Sequence, residues 1–191
     1  MSNEKKMLVK GTSANALHAF VKTNFPDRFQ EWIDALPEDS KKIYSGTIMA
    51  FEFYKIHDAL VVPIQTVCAL FYDNDLNKGL RDIGRHSSQF ALKGVYKIFF
   101  RFGSPQFIID RASRVFSNYY PEGKMRVAES SSNGVILQVV QFPEPYELIE
   151  LNIKYWLEGV LDLLNRKERT IEITKAMTKG DPVTEYAVNW S

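Results

Sequence analysis

Cysteine is almost missing from this chain: Cys68 is the only one in 191 residues. That excludes an internal disulfide and any multi-cysteine metal site. Histidine is scarce as well. His18, His57 and His86 are the only three, and neither His18 nor His57 has a second His, a Cys or an acidic partner at metal-ligand spacing; Asp58 adjoins His57 but is expected to point elsewhere on a helix. No apolar run reaches the roughly 18 residues of a membrane-spanning helix. The opening MSNEKKMLVKG carries charge without an apolar stretch behind it, which predicts no secretory signal. Nor is there an excess of one charge: 24 Lys and Arg against 23 Asp and Glu leave a formal charge of +1. The strongly basic footprint of a generic nucleic-acid binder is therefore absent. Enzyme signatures are missing too, with no Gly-x-Ser-x-Gly, P-loop, Gly-x-Gly-x-x-Gly or His-Glu-x-x-His, and no acid–base pair singled out by spacing. These absences predict a cytoplasmic, non-enzymatic domain with no catalytic residues, metal, nucleic acid or membrane insertion.

What is present is core-forming material. Hydrophobic residues make up 45% of the chain and aromatic residues 13%, ample for one domain over residues 1–191. Its character changes near residue 120. Before that point the patterns are helical. Thr12 or Ser13 can cap a helix carrying Leu17, Phe20 and Val21, and Phe29, Trp32 and Ile33 follow at helical spacing until Leu36-Pro37. Pro63 opens another helix, and a long one is predicted from about Leu76 to Phe102. Gly103-Ser104-Pro105 separates it from the next, which carries Phe107, Ile108, Val115 and Phe116. After residue 120, Asn133-Gly134 signals a two-residue hairpin turn between two strands. An amphipathic helix spans Glu147 to Leu164 with Ile149, Ile153, Trp156 and Val160 on one face. Alternation at Ile171 and Ile173, a Lys179-Gly180-Asp181-Pro182 turn and alternation at Tyr186, Val188 and Trp190 complete a second hairpin. The fold class is α+β: a helical part over about 1–120, then ββαββ over about 121–191, an antiparallel sheet with a helix packed on it.

Several short stretches also carry a resemblance. LRDIGR from Leu80, FGSPQF from Phe102, YPEG from Tyr120, YWLEG from Tyr155, TKGDP from Thr178 and YAVNW from Tyr186 resemble bacterial relatives of the haem-nitric-oxide/oxygen-binding (H-NOX) fold and of the bacteriochlorophyll 4-vinyl-reductase domain, over roughly residues 7–190. Members of this group bind haem or small apolar ligands, and trafficking-complex subunits among them dimerise around an acyl chain. H-NOX proteins bind haem with a histidine leading into the C-terminal sheet and a Tyr-x-Ser-x-Arg motif. Here no histidine follows His86 and that motif does not occur, so the resemblance implies a haem-free member. The 4-vinyl-reductase type places cysteines around the terminal Gly-Asp turn. Ala176 and Thr184 stand there instead, so no zinc or iron–sulfur cluster is implied, and no cofactor is expected.

The remaining candidates have two readings each. Phe90, Phe99, Phe116 and Trp156 belong to a large aromatic set that fills the core or lines a pocket between helices and sheet, where this group keeps its ligands. Arg81, Arg85, Lys93, Lys97 and Arg101 form a basic line, followed by Arg111 and Arg114; it is an anion or nucleotide site, or a solvated surface. Gly84, Ser88 and Ala91 permit close helix crossing, within the core or against a second copy in a homodimer. His86 is a proton carrier or a partly exposed helix residue, and Cys68, among apolar neighbours, is read as a buried structural thiol. The expected function is sensory or regulatory, through an unknown small molecule or protein partner.

Overall fold

Two three-residue strands tie the N-terminus to the middle of the helical part. β1 (Leu8–Lys10) pairs antiparallel with β2 (Phe53–Lys55), Val9 opposite Tyr54. The structure, a computed structural model, describes residues 6–93, 105–164, 166 and 168–191. α1 (Gly11–Asn24) follows β1 directly, and neither Thr12 nor Ser13 caps it. The Thr12 hydroxyl instead donates to the Ala50 carbonyl at 2.9 Å, and a Cβ on Gly11 would lie 2.1 Å from the Met49 carbonyl oxygen. α1 therefore begins where the 49–52 turn presses on its backbone.

α2 (Phe29–Ala35) buries Trp32 and Ile33 and stops before Leu36-Pro37, as the spacing predicts. α3 (Glu38–Ser45) follows Pro37 at once. A π-turn, His57–Val61, leads into α4 (Val62–Phe71), with Pro63 in its first turn. Proline has no N–H to give the carbonyl four residues back. That carbonyl, Ala59, is taken instead by the buried Tyr44 hydroxyl at 2.6 Å.

α5 (Leu76–Lys93) and α6 (Pro105–Tyr119) come next. The predicted continuation of α5 to Phe102 lies outside the described residues. β3 (Lys124–Ser130), β4 (Gly134–Val140), α7 (Glu147–Leu163), β5 (Arg169–Lys175) and β6 (Thr184–Trp190) complete the chain. The four strands form one antiparallel sheet ordered β3-β4-β6-β5, which is the ββαββ arrangement. Its first turn is shifted from expectation. Ser131 N–H bonds the Gly134 carbonyl at 2.8 Å, placing Ser132 and Asn133, not Asn133-Gly134, at the centre. Gly134 begins β4, where a Cβ would meet the Asn189 side-chain oxygen at 2.7 Å. Close strand approach, rather than turn geometry, requires this glycine.

α7 packs on α5 through small residues. A Cβ on Gly84 would lie 2.7 Å from the Tyr155 backbone, and one on Gly159 2.2 Å from Ser88 Oγ. Gly84 and Ser88 are thus consumed within the chain, and Ala91 faces the interior space described below. The expectation that this stripe meets a second copy is corrected: α7 already covers it. One apolar cluster runs from Met7 to Trp190 through both parts. Among the described residues no helix is long and apolar enough to cross a membrane.

Candidate functional site: a cavity between helices and sheet

Helices α1, α4, α5 and α6 do not close fully against the sheet and α7. They leave a cavity of about 620 Å³. Strand alternation builds one wall: Met125 of β3, Val135 and Leu137 of β4, and Val188 and Trp190 of β6 point the same way and line it. Helical spacing builds the opposite walls, with Leu17 from α1, Ile64 from α4, Ile83 and Phe90 from α5, and Ile153, Trp156, Leu157 and Val160 from α7. Three residues expected at a pocket, Phe90, Phe116 and Trp156, come together here. Phe99, the fourth, lies outside the described residues.

Few polar groups interrupt the lining. Thr12 and Ser13 come from the first turn of α1, Ser87 from α5, Asn152 from α7, and Arg111, Arg114 and Asn118 from one face of α6. The Asn152 side-chain oxygen is buried without a hydrogen-bond partner among the described residues. The Asn118 side-chain oxygen accepts from the Lys10 ammonium at 2.7 Å. Arg111 and Arg114 read in sequence as a continuation of the α5 line; their i, i+3, i+7 spacing with Asn118 was the signal that they share a face.

No histidine is in this lining. His18 sits edge-on to Phe29 at 5.0 Å and stacks near Tyr44; burial, then the Lys22 charge, lowers its pKa. His86 packs on Phe20 and Phe90, with ring centroids at 5.5 and 6.4 Å. His57 hydrogen-bonds Asp58 at 2.8 Å, correcting the expectation that Asp58 points elsewhere. Cys68 is buried outside the cavity, and burial followed by the Asp75 charge pushes its thiol up to about 11. Tyr120, in the lining, is held protonated by burial, with Tyr119 adding to the effect. Among the described residues no group of three or more His, Cys, Asp or Glu could hold a metal ion.

The two α5 arginines of the basic line face acids. Arg81 pairs with Glu158 at 3.6 Å and Arg85 with Asp162 at 3.4 Å, both acids on α7; Arg169 also pairs with Asp162. The acidic face of α7 thus sets a carboxylate against each of Arg81 and Arg85. Lys97, Arg101 and the side chain of Lys93 lie outside the described residues.

No protein-family model and no curated protein matches this sequence. Solved structures do match it in shape. An H-NOX protein from S. oneidensis in the Fe(II)NO state has a TM-score of 0.73 at 14% identity, over 95% of this chain and 99% of that one. The Fe(II) unliganded H-NOX protein from K. algicida gives 0.68 at 12%, over 95% and 96%. An oxygen-binding H-NOX domain related to soluble guanylate cyclases gives 0.66 at 11%, over 95% of each chain. Likeness at such identities carries the fold alone.

Proposed function

The chain has the H-NOX fold, and from that premise we propose that it is a haem-free, non-enzymatic sensory or regulatory domain that binds a small, largely apolar molecule. The observation that carries this reading is the cavity of about 620 Å³ walled by apolar and aromatic side chains. Its size falls in the roughly 300–1,000 Å³ range of small-molecule sites. Haem of the histidine- or thiolate-ligated kind requires an axial imidazole or thiolate. The residues here do not fit it: all three histidines stand outside the lining, and the Cys68 thiol is both outside it and protonated. The domain is taken as cytoplasmic, and as a homodimer through its helical half without the Gly84 and Ser88 stripe.

A second reading, binding of a protein partner, rests on the turn before β2. It exposes Met49 (51%) and Phe51 (85%), and Phe53 (44%) follows at the start of β2, an apolar display uncommon on a surface without a partner.

Native mass spectrometry of the purified chain, paired with a denaturing run, tests the proposal. The expected result is an excess mass lost on denaturation and no stoichiometric Soret band on titration with haemin. A bare mass, with no rise in melting temperature in any apolar ligand screen, would overturn it, because a native-state ligand must raise stability. A Soret band saturating at one equivalent would overturn the haem-free part. The same spectrum reads the number of chains.

A further inference from the structure

Two polar groups of the cavity wall are held in place and spent on nothing. The Asn152 side-chain oxygen, on α7, is buried without a hydrogen-bond partner among the described residues. The amide nitrogen beside it makes no hydrogen bond among them either. Tyr120, directly after α6, is in the lining and only 7% exposed. Its ring packs on Phe116 and Phe142, with centroids at 4.9 and 5.7 Å. Its hydroxyl, held protonated by burial, has no hydrogen-bond partner among the described residues. Other polar groups of the lining differ. The Thr12 hydroxyl is spent on the Ala50 carbonyl, Arg111, Asn118 and Tyr119 already have partners, and Arg114 is exposed to water. Ser87 is half-buried and can turn its hydroxyl onto the Ile83 carbonyl, four residues back in its own helix.

A buried polar group without a partner has given up water and received nothing for it. Pairing it with a ligand therefore adds no desolvation cost on the protein's side. We infer that the cavity's ligand is an apolar molecule bearing a hydroxyl, with Asn152 and Tyr120 as its hydrogen-bond partners. The inference rests on the reading of the cavity as an apolar-ligand site and names the ligand's chemical class. A hydroxyl both donates and accepts. It gives its proton to the Asn152 oxygen, or accepts from the amide nitrogen once a half-turn about χ2 exchanges the two ends, and it accepts from the Tyr120 O–H. A carbonyl or an ether only accepts, which leaves the Asn152 oxygen bare. A charged group would leave water for two neutral partners. The apolar remainder of the wall holds the body of the molecule.

The test uses three probes on one ring system, naphthalene, methoxynaphthalene and naphthol, titrated by calorimetry into the full chain and into Asn152→Leu. Partition out of water alone ranks naphthol last, because its hydroxyl must leave water. The expected result in the wild type is the reverse: naphthol binds about fivefold tighter than either of the others, the size of one net hydrogen bond. In Asn152→Leu that preference is lost and naphthol falls to last. Should this variant fail to fold, Tyr120→Phe reads the same ranking, since it removes a single oxygen that holds no other bond; an equal loss of preference is expected there. Naphthol binding no tighter than naphthalene in the wild type, or a preference that survives the substitution, overturns the hydroxyl inference and leaves the apolar cavity reading standing. Failure of all three probes to bind overturns the hydroxyl inference as well, and the native mass spectrum then decides the cavity reading by itself.

Discussion

The side-chain oxygen of Asn152 is buried on the α7 wall and has no hydrogen-bond partner among the described residues. A buried acceptor in that state costs about 1–3 kcal/mol relative to one that is satisfied. A ligand with a donor at this point removes the cost, and so does taking the amide away. Asn152→Leu is therefore expected to raise the stability of the ligand-free protein by about 1 kcal/mol, read as a higher urea midpoint with unchanged slope. A lower midpoint would mean that the oxygen is hydrogen-bonded in solution. Glu150, two residues earlier, shows the opposite solution to the same problem. Its buried carboxylate accepts from the Thr178 and Thr184 hydroxyls, and its backbone carbonyl from the Tyr186 hydroxyl at 3.0 Å. Nothing in the spacing of Glu150 marks it as buried; it became so because α7 and the turn at Gly180, a residue with φ of 94°, meet there.

Three strands converge on one carboxylate, and that gives the sheet a pH dependence. Glu185 of β6 accepts from Gln138 on β4 and from Lys175 and Thr174 on β5. These bonds, that from Gln138 first, lower its pKa from 4.5 to about 2. A folded-state pKa below the unfolded value contributes stability that is fully present above about 4.5 and lost as pH falls towards about 2. Glu185→Gln should thus be less stable than the wild type at neutral pH, with the two urea midpoints converging as pH drops through that window. Parallel midpoint curves would show that the carboxylate contributes nothing through its charge. Legibility in the sequence differs among the elements for the same kind of reason. α7 and the outer hairpins carry long periodic patterns, so their type and order could be read directly. β1 and β2 are three residues each, too short for a period, and they exist because residues more than forty positions apart pair. α3 is short and polar, with only Ser40 and Tyr44 buried, so it offers no apolar stripe to detect.

At the scale of the whole molecule the cavity is a property of how elements fail to meet. Phe90, Phe116 and Trp156 were recognisable as inward-facing, but a space bounded by α1, α4, α5, α6, α7 and three strands belongs to no single segment. The α5 arginines were visible as a line, whereas the acids that neutralise them lie some 77 residues later in the chain, at Glu158 and Asp162. If the space is open in solution, a larger side chain can occupy it. Leu137, central on β4 and fully buried, points into it. In a close-packed core, replacing leucine with tryptophan would cost about 1–3 kcal/mol or more through overpacking. Here the added ring has room, and the apolar area it buries offsets the strain. Leu137→Trp is therefore expected to leave the ligand-free melting temperature unchanged or raise it, while abolishing the excess mass in the native spectrum. A variant that instead melts several degrees lower would show that the helices close onto the sheet in solution, leaving no space for a ligand of any class.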